Sequence, residues 1–186
     1  LQVSAQTKRI KVHNNLVDIT GIASAQPTFI QTGTPALPVI DLTVTHNTCW
    51  MPEGIDGLDI DGTFAALNFV YAGTNVDNLV CHSNIMMHGY YPANWSRTSP
   101  TQHENNVWVM ESVQGSQYSQ NKTNFATNNP GDQMADPGLD SVGFTDWENG
   151  NWRLTALSTF KGDGTGGTDP GIDQDALEEA TVGAIS

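Results

Sequence analysis

The amino-acid sequence predicts an all-β chain whose short strands stack as repeated coils. Turn residues are frequent, with 18 Gly and 9 Pro among 186 residues, and only 15% of the residues are charged. The second observation is a recurring unit in which an alternating apolar strand ends at an asparagine, at Asn15, Asn47 and Asn84. Their spacings of 32 and 37 residues are typical of stacked structural repeats.

The first three units are IKVHNNLVDI, LTVTHNTCWM and LVCHSNIMMH. When their asparagines are aligned, apolar residues fall five and three positions upstream, which predicts a strand that runs up to the asparagine. The aligned residues are Ile10, Leu42 and Leu79, and then Val12, Val44 and Cys81. Asparagine tolerates tight bends, and in parallel coils its side chain stacks about 4.8 Å from its neighbours. We therefore expect a hydrogen-bonded ladder of asparagines.

A fourth unit begins at Asn106, 22 residues after Asn84, and matches only in its downstream half, VWVM. Its upstream residues, SPTQHEN, do not have the pattern of a strand. Residues 63–73 are predicted to form an additional strand. The sequence thus predicts about four coils over residues 1–113, separated by loop insertions of different length.

Residues 114–141 are polar and rich in turn signals, so we expect surface loops there. Residues 142–186 are expected to form the last strand and a C-terminal cap. Phe144, Trp152 and Leu154 provide an apolar anchor, and residues 176–182 form a short helix with Asp173 or Asp175 as its N-cap. Such an end is expected to cover the exposed edge of the last coil.

The C-terminal segment GFTDWENGNWRLTALSTFKGDGTGGTDPGIDQDAL resembles the closing pattern of secreted bacterial right-handed parallel β-helix proteins of the pectin-lyase-like type. The matching positions are Phe144, Asp146, Gly150, Asn151, Trp152, Arg153, Leu154, Asp169, Gly171 and Asp173. The resemblance implies a right-handed parallel β-helix with an extracellular or cell-surface location. It also implies a module that binds or processes polysaccharide, or else a non-enzymatic structural or adhesive protein. The missing N-terminal capping segment indicates one part of a longer protein or an assembly.

The net charge of −13 argues against a nucleic acid partner and against an anionic membrane surface. No apolar stretch approaches the roughly 18 residues of a membrane span, so no membrane insertion is expected. The N-terminus has neither an initiator Met nor a signal peptide, which indicates a processed chain or a piece of a longer one. Polysaccharide, or further copies or segments of a β-helix, are the expected partners.

Aromatic side chains in the predicted loops are candidates for stacking on sugar rings, and the alternative is packing beneath the loops. They are Trp50, Tyr90, Tyr91 and Trp95, whereas Trp108 and Trp152 are expected in the core or cap. The acidic loop MPEGIDGLDIDG carries Glu53, Asp56, Asp59 and Asp61, and is a candidate Ca²⁺ site or a candidate hydrolytic carboxyl pair. The same residues also suit a solvated turn.

No catalytic residue is assigned by the sequence, so enzymatic activity stays open. The triplet RIK, residues 9–11, is similar to a substrate-binding motif of pectin-hydrolysing β-helices, but the accompanying Gly-His-Gly is missing. His13 and His82 share a column, with His46 offset by one residue, and are expected to be structural rather than metal ligands or bases. Cys49 and Cys81 fall in different columns, which predicts two free, buried thiols.

Overall fold

The strands and helices are described by a computed structural model over residues 2–3, 8–18, 28–32, 39–50, 68–72, 76–87, 102–110, 123–127 and 130–182. Within these residues the strands are β1 (Gln2–Val3), β2 (Lys8–His13), β3 (Leu16–Asp18), β4 (Thr28–Thr32), β5 (Val39–Thr45), β6 (Thr48–Trp50), β7 (Asn68–Ala72), β8 (Val76–His82), β9 (Ile85–Met87), β10 (Gln102–Glu104), β11 (Val107–Val109), β12 (Gln133–Ala135), β13 (Phe144–Asp146) and β14 (Asn151–Leu154). The helices are α1 (residues 123–127) and α2 (Gln174–Thr181), with 3₁₀ turns at Leu139–Val142 and Trp147–Asn149.

Three parallel sheets and one antiparallel hairpin organise these strands. The first sheet has the order β1-β4-β7, the second β10-β8-β5-β2, and the third β12-β11-β9-β6-β3. From β1 to β9, successive strands enter the first, second and third sheets in that order, whereas β10 lies in the second sheet and β11 and β12 lie in the third. Equivalent strands of successive units pair in parallel. The register keeps the sequence columns, since Val12 pairs with Val44 and Val44 with Cys81. The chain is therefore mostly β, with parallel sheets and few helices.

Successive side chains of a strand point to opposite faces of its sheet, so one face of each strand borders a central core and the other faces outwards. Leu42, Val44, Leu79 and Cys81 of the second sheet pack in one cluster with Cys49, Met86 and Trp108 of the third. The neighbours Ile85, Val107 and Val109 face the other side of the third sheet. There they pack against the C-terminal residues Phe144, Trp152 and Leu154, the apolar anchor that the sequence predicts.

In four units the chain passes from the second sheet to the third through a residue in the left-handed backbone region. These residues are Asn14, His46, Ser83 and Asn105, with φ of 55°, 54°, 56° and 57°. Gly131, with φ of 87°, occupies the equivalent position before β12. A second left-handed column, Arg9, Asp41 and Asn78, interrupts the strands of the second sheet, with φ of 58°, 57° and 60°. For non-glycine residues this conformation costs about 1–2 kcal/mol each, so other interactions must hold the bends.

The C-terminal helix follows the prediction, because α2 begins after Asp173, whose side chain accepts a hydrogen bond from the Ala176 amide.

By contrast, two predictions about the strands are wrong. Residues 102–104 form β10, which pairs with β8, and residues 133–135, expected in a surface loop, form β12, which pairs with β11. Backbone pairing to an existing sheet edge creates strands there although each segment is too short to show a strand pattern. Among the described residues, no helix is long and apolar enough to cross a membrane.

Candidate functional site

The four asparagines of the predicted column are hydrogen-bonded in series through their side chains. The side-chain amide Nδ2 of each donates to Oδ1 of the next, at 2.8 Å from Asn15 to Asn47, 2.9 Å from Asn47 to Asn84 and 2.8 Å from Asn84 to Asn106. The same oxygens accept the backbone N–H of the preceding asparagine at 3.1, 3.0 and 3.1 Å. Each of these three accepting oxygens in the asparagine ladder is therefore satisfied by one backbone and one side-chain donor.

Burial makes the ladder energetically important. Asn47, Asn84 and Asn106 are 0% exposed, whereas Asn15 is exposed. The Asn84 amide also donates to the carbonyl oxygens of Val44 and His82, each at 3.0 Å. Buried polar groups of this kind are stable only when hydrogen-bonded, so the ladder holds the left-handed bends in place.

The ladder ends at Asp132, which the sequence alignment did not include. Its Oδ1 accepts from the backbone N–H and from Nδ2 of Asn106, each at 3.0 Å, and its Oδ2 accepts from Nε1 of Trp108 at 2.6 Å. The Asp132 side chain is fully buried, and His103 Nε2 lies 3.2 Å from Oδ2. Burial raises the pKa of Asp132, opposed by His103 and the three donors, and burial lowers the pKa of His103. The signal for Asp132 in the sequence is Gly131, which occupies the bend position of the preceding units.

Three histidines lie beside the bends. The ring of His46 is 5.3 Å from that of His13 and 6.1 Å from that of His82, between centroids. Each makes a hydrogen-bond contact with a hydroxyl: His13 with Thr45 at 3.1 Å, His82 with Ser83 at 3.1 Å, and His46 with Thr168 at 3.0 Å. Burial lowers the pKa of all three, and for His46 the neighbouring His13 and His82 lower it further. The cluster is therefore uncharged at neutral pH.

Residues 155–173, here called the C-terminal strap, cross the bends of the stacked units. The strap donates from Gly171 N to the Ser83 carbonyl at 2.8 Å, and from Ile172 N to Thr48 Oγ1 at 3.1 Å. At its end, Asp173 N donates to Asn14 Oδ1 at 2.6 Å and Asn14 Nδ2 returns a bond to the Asp173 carbonyl at 3.0 Å. This segment therefore ties together the bends of successive units.

Gly171 permits the close approach of the strap. Its φ is +81°, and a Cβ there would lie 2.7 Å from Ile85 Cδ1 and 2.8 Å from Thr48 Oγ1. Gly166 has a similar φ of +78° but nothing within 4 Å of a Cβ. Only glycine fits at Gly171, because a Cβ there would meet neighbouring side chains. At Gly166 there is space for a Cβ, and glycine is favoured only by the left-handed backbone conformation.

A cleft of about 890 Å³ lies between the strap, β14 and the two histidines His13 and His46. Its charged side chains are largely paired with one another. Lys161 contacts Asp169 at 2.6 Å, and Arg153 Nε donates to Asp175 at 2.9 Å. Trp152 also lines the cleft but is only 5% exposed, so it serves as a packing residue rather than a platform for a sugar ring.

The residues predicted to bind sugar or Ca²⁺ fall largely outside the described part of the chain. Tyr90, Tyr91 and Trp95 lie outside the described residues, as do Glu53, Asp56, Asp59 and Asp61. Trp50 ends β6 and pairs with Asp18, but its side chain is not described. In the described ranges no group of three or more His, Cys, Asp or Glu residues is placed to hold a metal ion.

Cys49 and Cys81 are free and buried, as the column alignment predicts. Cys49 pairs with Met86, and Cys81 with Val44, so they occupy different sheets and positions. Burial raises the pKa of both thiols, so neither is prepared to act as a nucleophile.

No protein-family model matches the chain, and no curated protein or solved structure matches it. The function is therefore inferred from the residues and their geometry alone.

Proposed function

We propose that the chain is a module of an extracellular right-handed parallel β-helix that binds polysaccharide. The observation that carries the proposal is the repeated order of β1–β9 through three parallel sheets, with the asparagine ladder where the chain passes from the second sheet to the third. A β-helix is the architecture in which each turn of the chain adds one strand to each sheet. Its stacked sheets present long surfaces suited to extended ligands.

Polysaccharide is favoured by the residues that lie between the stacked strands. The intervals carry Tyr90, Tyr91 and Trp95, and Trp50 ends β6; these rings are suited to stacking on sugars. The net charge of −13 with few cations suits neutral sugars, or acidic ones bridged by a divalent cation. Asp56, Asp59 and Asp61 are the proposed carboxylates for Ca²⁺.

Glycan-array binding, with and without Ca²⁺, tests this proposal. Trp95→Ala is expected to reduce binding at least tenfold. Trp147→Ala, which changes a Trp of the C-terminal hairpin, serves as the matched control and is expected to bind as the parent does. A folded chain that binds no glycan in either condition refutes the proposal. Release of reducing ends that Asp59→Asn or Asp61→Asn abolishes shows processing as well as binding.

A non-enzymatic structural or adhesive protein is the second candidate, favoured by the exposed asparagine at one end of the ladder. Such an end presents strand edges and an amide side chain to further β-structure. Light scattering after size-exclusion chromatography, with and without candidate cell-surface extracts, distinguishes this function. A monomer that binds glycan and no protein supports the first candidate instead.

A further inference from the structure

The cleft between the C-terminal strap and β14 is a preformed space that the proposed function does not use. Its volume of about 890 Å³ lies within the roughly 300–1,000 Å³ of small-molecule sites. Every residue that lines it belongs to the described part of the chain. Trp152, Leu154 and Ile172 give the lining a buried apolar part, and the remaining side chains are mostly polar. The chemistry of these walls indicates what the cleft accepts.

The charged groups of the cleft neutralise one another. Lys161 Nζ lies 2.6 Å from Asp169 Oδ2, and Arg153 Nε donates to Asp175 Oδ1 at 2.9 Å. The remaining carboxylate, Asp173, accepts a backbone amide at the start of α2. Both cations are thus held by carboxylates, which removes the unpaired positive charge that an anion needs. Among the described residues no group of three or more His, Cys, Asp or Glu is placed to hold a metal ion. The cleft therefore favours a neutral ligand.

The ion pair of Lys161 and Asp169 keeps hydrogen-bonding capacity for such a ligand. An ammonium group has three donors, and Lys161 uses one of them on Asp169. The carboxylate oxygens of Asp169 each accept one bond, from Gly162 N at 2.9 Å and from Lys161 Nζ, and each has room for a second. The two side chains are 47% and 35% exposed, so a ligand can reach both. The pair therefore offers donors and acceptors side by side.

Further polar groups complete the lining. His13 is exposed, and its Nδ1 contacts Thr45 Oγ1 at 3.1 Å, which leaves Nε2 without a partner among the described residues. Burial lowers the pKa of His13, so its ring is neutral at neutral pH. In either tautomer, Nε2 forms a hydrogen bond with a hydroxyl group, because a hydroxyl both donates and accepts. Thr145 and Thr155 add hydroxyl groups of their own.

We propose that the cleft binds a neutral sugar unit with adjacent hydroxyl groups. One hydroxyl accepts a hydrogen bond from Lys161 while its neighbour donates to Asp169, since adjacent oxygens on a sugar ring are spaced like the nitrogen and oxygen of this ion pair. The choice of a sugar among neutral polyhydroxyl molecules rests on the proposed function. The site itself is separate from the aromatic residues of that proposal, because none of them lines the cleft.

Titration of the intact chain with the methyl glycosides of glucose, galactose, mannose and xylose, followed by NMR, tests the site. The amide of Gly162, which donates to Asp169, is the reporter. At least one glycoside is expected to shift its resonance saturably at millimolar concentration, the ordinary affinity of a ligand with about a dozen non-hydrogen atoms. Sorbitol, an acyclic polyol, is expected to bind more weakly because it loses more conformational freedom, and inorganic phosphate is expected to cause no shift. Equal binding of sorbitol would overturn the sugar, and tighter binding of phosphate would overturn the neutral ligand.

Variants of the chain test the residues assigned to the site. Asp169→Asn keeps the size of the side chain but removes the ion pair, and it is expected to weaken glycoside binding at least about tenfold. Asp77→Asn makes the same change at an exposed position of β8 outside the cleft, and its affinity is expected to stay within about twofold of the parent. Unchanged binding by folded Asp169→Asn would overturn the role of the pair. If that variant does not fold, Ala156→Trp, which fills the cleft from an exposed lining position, replaces it and is expected to abolish the shift.

The failure of this site is distinguishable from the failure of the proposed function. Trp95→Ala is expected to leave glycoside binding in the cleft unchanged, because Trp95 does not line it. Array binding that depends on Trp95, with no shift of Gly162 at glycoside concentrations up to about 50 mM, would overturn the cleft alone. A saturable shift of Gly162 with a silent glycan array would instead refute the loop site and support the cleft.

Discussion

Replacement of Asn84 by alanine removes the central rung of the asparagine ladder. Asn84 Oδ1 accepts from Asn47 N at 3.0 Å and from Asn47 Nδ2 at 2.9 Å, and its own amide donates to Asn106 Oδ1 at 2.8 Å. The site is 0% exposed, so water has no direct access to the groups left behind. In the variant, the buried N–H of Asn47 loses its acceptor and the carbonyls of Val44 and His82 lose a donor.

The magnitude follows from the number of buried groups without partners. Each such group costs about 1–3 kcal/mol, so we expect Asn84→Ala to lower the free energy of unfolding by about 3–5 kcal/mol. That is a large share of the ~5–15 kcal/mol of a typical domain. Asn15→Ala is the matched control, because Asn15 is exposed and its backbone N–H still donates to Asn47 Oδ1. Its expected loss is about 1 kcal/mol or less, because water replaces the exposed bonds.

Urea denaturation followed by tryptophan fluorescence measures both variants, since the chain has five Trp residues. The two variants are compared by their urea midpoints. This comparison requires that the free energy of unfolding depends equally on urea concentration in both, which the same curves check. If Asn84→Ala does not fold, Asn106→Ala, which is also 0% exposed, replaces it in the comparison. Losses that agree within ~0.5 kcal/mol for the buried and exposed positions would refute the view that the ladder stabilises the bends through buried hydrogen bonds.

Gly171→Ala is expected to lower stability by about 2–4 kcal/mol because its Cβ would overlap the underlying unit, whereas Gly166→Ala is expected to lose about 1 kcal/mol from its backbone conformation alone. Urea denaturation and limited proteolysis compare the two variants, and equal losses would contradict the packing of the strap. Because the folded-state pKa values of the three histidines are lowered, folded protein binds fewer protons than unfolded protein. Their contribution to stability is therefore complete above about pH 6.5 and falls as the pH drops through the lowered values. As the pH is lowered, the urea midpoint of His46→Gln is expected to fall less than that of the parent chain. An equal fall in the two proteins would count against this contribution of His46. Cys49 and Cys81 are expected to resist a thiol reagent in the folded state and to give two equivalents in urea, whereas rapid labelling of the folded chain would contradict their burial.

The asparagine column is visible in the sequence because successive units repeat the same local pattern of residues. Each unit places an asparagine at the same distance from an alternating strand, and alternation is a local property of adjacent residues. The apolar anchor of Phe144, Trp152 and Leu154 and the N-cap at Asp173 are local in the same sense. These features were therefore predictable before any tertiary contact was known.

Other elements are too short to show a strand pattern and depend on distant partners. β10 and β12 have the sequences QHE and QMA and exist as strands because the edges of β8 and β11 accept their backbones. Asp132 continues the ladder with a carboxylate in place of an amide, so an alignment of asparagines does not detect it. The aromatic and acidic residues predicted to bind ligands lie mainly outside the described residues, so those predictions still stand as proposals.

The sequence by itself determined the β class, the spacing of the units and the asparagine column that follows the bends, because these depend on local periodicity. Only the tertiary structure decided the direction of the ladder, the closed end at Asp132 and the path of the strap across the bends. The physical reason is that hydrogen-bond direction and burial arise between units far apart in the chain. No local pattern records which end of the ladder is sealed and which is exposed.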